Sequence, residues 1–151
     1  MRVFWLIGAI AIAPALTAAH AAEKTPTLGV GDISCSKEIG EALCEKLTER
    51  LVTALGARSP HPVERQAEAR KKQRACKQDP TCMLAHRRTY EQIVSGTVRG
   101  SDTGVEISLR LLDARRMEKI AEASGHARTA TEQDLLAEVE AAAARLFPDR
   151  D

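Results

Sequence analysis

Four cysteines, Cys35, Cys44, Cys76 and Cys82, and the histidines His61, His86 and His126 are the side chains of this 151-residue chain best suited to chemistry. Thiolates and imidazoles together are zinc ligands, whereas thiols in an oxidising compartment pair as disulfides. No Cys-x-x-Cys or His-x-x-x-His knuckle occurs, so metal binding is not the reading. Cys76-Lys-Gln-Asp-Pro-Thr-Cys82 brackets an Asp-Pro turn and reads as a disulfide loop. Cys35 and Cys44 then remain, and exclusion makes them a candidate second pair whose pairing the sequence leaves open. That pairing is awkward if both lie in one helix, where nine residues at 1.5 Å each separate them by about 13 Å, so Cys35 must fold back before the helix begins.

Nucleophilic and acid-base chemistry find little support. Ser-His-Asp hydrolysis needs a base held against the nucleophile, but the histidines are scattered and no Gly-x-Ser-x-Gly elbow is present. Glu138 and Glu140 are close in sequence, yet helix residues two apart do not share a face. The expectation is a protein that is not an enzyme and has no catalytic residue, cofactor or metal. Basic residues are the remaining candidates: Arg65, Arg70, Lys71, Lys72, Arg74 and Lys77, followed by Arg87 and Arg88. Arg70, Lys71, Arg74 and Lys77 form a candidate anion-binding face. Nucleic acid is not the expected ligand, because stacking aromatics are absent apart from Tyr90.

Residues 1–21 give the compartment. Arg2, an apolar run over 3–13 and Ala19-His20-Ala21 are the three parts of a secretory signal peptide, with cleavage expected before Ala22. The apolar run is shorter than the roughly 20 residues of a spanning helix, so no membrane span is expected after cleavage. No cysteine near the cleavage point offers a site for a lipid anchor. Residues 22–151 are the length of one domain in a periplasmic or secreted protein. With Arg2 removed, the 22 Lys and Arg fall by one and balance the 21 Asp and Glu. The distribution is uneven, with nine basic and four acidic residues over 64–100 against seven and eleven over 101–151.

The elements that must position these residues centre on 93–113. Val105, Ile107, Leu109 and Leu111 alternate with Glu106, Ser108 and Arg110, which is a half-buried strand. Val94 and Val98 belong to its partner, and Gly100-Ser-Asp-Thr-Gly104 turns between them. Residues 118–127 read as a third antiparallel strand, and 27–33 as a first strand with Leu28 and Val30 on one face. A helix capped at Ser34 or Ser36 and closed by Gly56 carries Ile39, Leu43, Leu47, Leu51 and Leu55 as a core stripe. Residues 59–64 are a linker or poor edge strand. Residues 64–77 form a surface helix, and 83–92 a short helical stretch. A capping box from Thr129 to Glu132 starts a last helix with Leu135, Val139, Ala142 and Leu146 inward and Pro148 at its end. The fold class is α+β: a small sheet containing a three-stranded antiparallel meander, packed with amphipathic helices.

The cysteine loop, Ile-Val-Ser-Gly-Thr-Val98 and Ile-Ser-Leu-Arg-Leu-Leu-Asp113, in this order among a Leu-striped, a polar and a Leu-rich helix, resemble small exported bacterial domains of the TolB amino-terminal type. The resemblance spans nearly all of 22–151 and lacks the carboxy-terminal propeller of full TolB proteins. Ala114-Arg115-Arg116 also stands where that family has a Thr-Gly turn. The resemblance implies a non-enzymatic interaction domain of the cell envelope whose partner is an envelope protein of unknown identity. The alternative is a module for anionic surfaces or polyanions built on the basic 65–88 segment.

Overall fold

Alternation in the central hairpin sorts its side chains onto two faces, and only one of these faces is covered. The computed structural model describes residues 27–82 and 90–148. Its elements are β1 (Thr27–Val30), β2 (Ser34–Cys35), a 3-10 turn (Lys37–Ile39), α1 (Glu41–Arg58), β3 (Val63–Arg65), α2 (Gln66–Ala75), β4 (Tyr90–Ser101), β5 (Gly104–Asp113), β6 (Lys119–Ala127) and α3 (Glu132–Leu146). The sheet runs β3-β1-β4-β5-β6, with β2 beside β4 as well. β4, β5 and β6 form the antiparallel meander, while β1 pairs in parallel with both β3 and β4. The class is therefore α+β with a mixed sheet.

Val94, Val98, Val105, Ile107, Leu109 and Leu111 point to the covered face and are buried. They meet Leu47, Leu51 and Leu55 of α1 and Leu135, Val139, Ala142, Ala143 and Leu146 of α3 in one cluster that also takes in Leu28 and Val30. Each large side chain buried there contributes about 1.5 to 3 kcal/mol relative to exposure. Ion pairs fasten the two helices at the surface, Lys46 to Glu132 at 2.8 Å and Arg50 to Glu140 at 2.7 Å. Such exposed pairs add little stability.

Local signals fail where sheet pairing competes for the same backbone. Helix α1 starts at Glu41 rather than at Ser34 or Ser36, because Ser34 and Cys35 pair with Thr97 and Val98 and the Ser36 N–H bonds the Val98 carbonyl at 2.9 Å. Gly40, at φ 78°, provides the sharp entry. The helix passes Gly56 and stops at Arg58, ahead of Pro60. Val63 and Glu64, from the expected linker or poor edge strand, do form an edge strand, and pairing with β1 extends this strand, β3, to Arg65, which is drawn out of the expected surface helix. The expected helix over 83–92 is corrected at its end, since Tyr90 and Gln92 pair with Thr27 and Leu28; residues 83–89 of that stretch lie outside the described residues. Thr131, not Thr129, caps α3 by accepting the Asp134 N–H at 3.3 Å. Thr129 instead hydrogen-bonds the Asp134 carboxylate.

Between β5 and β6 the Asp113 carboxylate accepts from the N–H groups of Arg115 and Arg116, both at 2.8 Å. This is a side-chain turn of the kind that Asp makes with its own following backbone. It ends in Met117 at φ 58° and in a register shift opposite Leu111 and Leu112.

Candidate functional site

Three surfaces present candidate functional side chains, and the first carries the basic residues singled out by sequence. The first is α2. Among its residues only Ala69 is buried, while Arg70, Lys71, Lys72 and Arg74, with Lys77 just beyond, are exposed. None of these five forms an ion pair with another described residue. Arg70 and Arg74 lie four apart and share one face of α2 with Lys71 beside it, while Lys77, at φ 45°, follows the end of the helix. Arg65 does not belong to this face. Its guanidinium grips Glu45 with two bonds of 2.5 and 2.7 Å and reaches Asp32 at 2.8 Å, tying β3 to α1 and to the β1–β2 connection. The bidentate bond to Glu45 is the main reason that its pKa rises above the ordinary arginine value and that of Glu45 falls. Arg87 and Arg88 lie outside the described residues, as does His86.

The cysteines staple the periphery of the sheet. Cys76 is bonded to Cys82 with Cα atoms 5.5 Å apart, and Cys35 to Cys44 at 6.0 Å. The second bond is reachable because Cys35 sits in β2, before the chain turns through Gly40 into α1. Asp79 organises the other loop, where its Oδ1 accepts from the N–H groups of Thr81 at 2.9 Å and Cys82 at 3.3 Å. Among the described residues no three His, Cys, Asp or Glu side chains come together as a metal site. Nor is any described helix long and apolar enough to cross a membrane.

Sequence reasoning did not single out the second and third surfaces. The face of the sheet opposite α1 and α3 presents Ser95, Thr97 and Arg99 of β4 against Glu106, Ser108 and Arg110 of β5, lining a shallow groove of about 250 Å³. Glu122 of β6 accepts from Lys119 at 2.6 Å, Arg110 at 3.1 Å and Ser108 at 3.3 Å, and Lys119 and then Arg110 hold its pKa down to about 2. The third surface is the free edge of β6, beside a groove of about 670 Å³ that is lined by Glu106, Ile107 and Ser108 of β5, by Ser124, Gly125 and His126 of β6 and by Glu138 and Arg145 of α3. Glu138 and Glu140 diverge as helical spacing requires, Glu138 pairing with Arg145 at 2.5 Å and Glu140 with Arg50. The alternation of Ser, Thr, Arg and Glu along 95–110 was the signal for the open face. Nothing local marks β6 as an edge.

This architecture recurs in known structures. A PelC dodecamer from Paraburkholderia phytofirmans superposes with a TM-score of 0.53 at 13% identity, over 84% of this chain and 90% of that one. The fold is similar to that of a PelC subunit. A point variant of PelC from the same organism gives 0.54 at 14% identity, over 83% and 90%. Structures similar to this chain also include TolB from Acinetobacter baumannii, with a TM-score of 0.46 at 13% identity, over 83% of this chain and 29% of TolB. No protein-family model and no curated protein matches the chain.

Proposed function

We propose that this is an exported, non-catalytic protein of the bacterial cell envelope that works by assembling with other proteins. One observation carries the reading: the helices cover a single face of the sheet and leave the opposite face and the β6 edge formed but unoccupied by any other described element. Fixed, solvent-facing surfaces of this kind suit contact with a partner, and on them Arg110 and Lys119 pair with Glu122, and Arg145 with Glu138, rather than being set around a reactive hydroxyl or thiol. The PelC relatives by fold are dodecamers, which supports assembly as the mode of action. Two disulfides fit the oxidising side of the inner membrane, and the leader-like residues 1–21 fit export.

The test is crosslinking in intact cells followed by capture of the tagged full-length chain. A mature amino terminus at Ala22 in the periplasmic fraction, with a crosslinked envelope protein, is expected. An intact Met1 in the cytosol refutes the localisation, and absence of any crosslinked protein refutes the mode of action.

A second reading follows from the five exposed cations on and beside α2. On this reading Arg70, Lys71, Arg74 and Lys77 hold the protein against an anionic surface. Polyanion binding of this kind is lost steeply with salt, while apolar protein contacts are salt-tolerant. Retention on a heparin column at low ionic strength that disappears in Arg70→Glu/Arg74→Glu supports it, and equal retention of both forms overturns it.

A further inference from the structure

The two edges of the sheet are built differently. At one edge β3 is three residues long, is preceded by Pro60 and Pro62, and leads straight into α2. Short length and nearby proline are the devices that keep an edge from pairing. At the other edge β6 is nine residues long and contains no proline. Its one irregularity lies at Ile120, which leaves the seven residues 121–127 in unbroken register with β5. Toward the helices this segment shows only Ala121, Ala123, Gly125 and Ala127, and toward the open face Glu122, Ser124 and His126. The two large hydrophobic residues most open to solvent among the described residues, Met117 at 65% just before β6 and Ile120 at 50% within it, lie ahead of this segment. Unpaired backbone, exposed apolar side chains and a groove thus coincide on one edge.

We propose that β6 is a self-pairing edge, through which two copies of the chain join as antiparallel strands about a two-fold axis at Ser124. This goes beyond the proposed function, because it names a second copy of the chain as a partner whatever else the protein binds. The register follows from the strand itself. A two-fold pair that uses all seven regular residues must centre on Ser124, which sets Ala121 opposite Ala127, Glu122 opposite His126, Ala123 opposite Gly125, and Ser124 opposite itself. Each unlike pair then occurs twice. Moving the axis by one residue shortens the regular ladder to five pairs, and moving it by two shortens it to three while setting Glu122 against Glu122 or His126 against His126. Two opposed carboxylates are unfavourable on a sheet, and the longest ladder avoids setting Glu122 against itself.

The axis stands perpendicular to the sheet, so both helical layers fall on the same side and the two α3 helices lie side by side. There Glu138 and Arg145 of each copy, already joined over Gly125, face the same two residues of the other in reverse order. A contact of this type is isologous and closes at two chains.

The experiment is sedimentation velocity on the mature full chain between about 10 and 200 μM, concentrations at which a weak dimer is populated. The wild type is expected to reach the mass of two chains. Ser124→Lys, which sets two ammonium groups against each other, is expected to stay at one chain with unchanged circular dichroism. Ser124→Cys tests the register: opposite residues of antiparallel strands have Cα atoms about 4.5 or 5.5 Å apart, within disulfide range. This variant should form a reducible dimer on a non-reducing gel. Glu122→Cys should not, and adding His126→Cys to it should restore the crosslink. A monomeric wild type across the whole range overturns the proposal, as does a dimer indifferent to Ser124→Lys. A monomer that still captures an envelope protein removes self-pairing and leaves the proposed function standing.

Discussion

Thr48 is the buried polar residue of the core, and what it holds can be measured. At 1% exposure its Oγ1 accepts the backbone N–H of Ile33 at 3.1 Å and donates to the Cys44 carbonyl at 3.1 Å, joining the β1–β2 connection to α1. Thr48→Val keeps the volume and leaves the Ile33 N–H facing a methyl group. The Cys44 carbonyl loses only a second partner, since a helix interior supplies its own. An unsatisfied buried donor costs about 1 to 3 kcal/mol. Thr48→Ser keeps the hydroxyl and removes a methyl, for about 0.5 to 1.5 kcal/mol on the scale of single-methyl deletions. With an unfolding entropy near 2.1 cal/mol/K per residue over roughly 130 residues, a 2 kcal/mol loss lowers the melting temperature by about 7 °C. Calorimetry should therefore rank the variants wild type, Ser, then Val. Amide exchange at Ile33 should accelerate in the Val variant only. A Val variant as stable as the wild type, or more stable than the Ser variant, refutes the argument that the hydroxyl satisfies a buried amide.

The other predictions rest on the same register. Leu109→Asp, at a position with no exposure, should unfold the domain, whereas Arg110→Asp should fold with a small loss from opposing Glu122; equal melting temperatures would mean that the strand faces are misassigned. Removing Cys76 and Cys82 together should lower stability by about 2 kcal/mol, the loop entropy of seven residues, without abolishing the fold, and free thiols at both positions in peptide maps of the exported protein would remove the staple from the account. Because the pKa of Glu122 is depressed in the folded state, its contribution is complete above its ordinary value of 4.5 and is lost as pH falls toward about 2. Thermal melts across that window should show a decline that is reduced in Glu122→Gln; identical profiles would mean that Lys119 and Arg110 do not hold the carboxylate.

Much of this architecture was legible wherever one side chain pattern answered to one environment. The alternation of 105–111 and the fourfold spacing of Leu47, Leu51 and Leu55 place the core because burial follows period. The turn over 102–103 follows from Gly104, whose φ of 143° and close approach to the Ala127 carbonyl leave no room for a Cβ. Boundaries were harder. Ser34, Ser36 and Thr129 are good capping residues whose backbone or hydroxyl is already engaged elsewhere, and that engagement is a tertiary fact. Arg65 shows the same limit: within a run of basic residues it looks like part of a solvated face, until folding sets Glu45 and Asp32 around it.

Why the sheet keeps one face open follows from what the chain has to pack with. Only four residues are aromatic, so large area must come from Leu, Ile and Val, and these are spent on one layer between the sheet and the pair α1 and α3. On the β6 side the layer thins. Ala123 and Ala127 meet a helix whose own buried face includes Ala142 and Ala143, so α3 can approach the sheet closely with little side chain between. Closeness lets the Glu138–Arg145 pair fold over Gly125, where any Cβ would collide with it. The edge strand is therefore backed by small residues beneath it rather than shielded by large ones beside it. On the other side, α2 buries only Ala69 and meets the sheet through β3, which leads directly into it. The two peripheral surfaces thus depend on different supports, and altering the basic face of α2 should leave the β6 edge, and any assembly formed through it, intact.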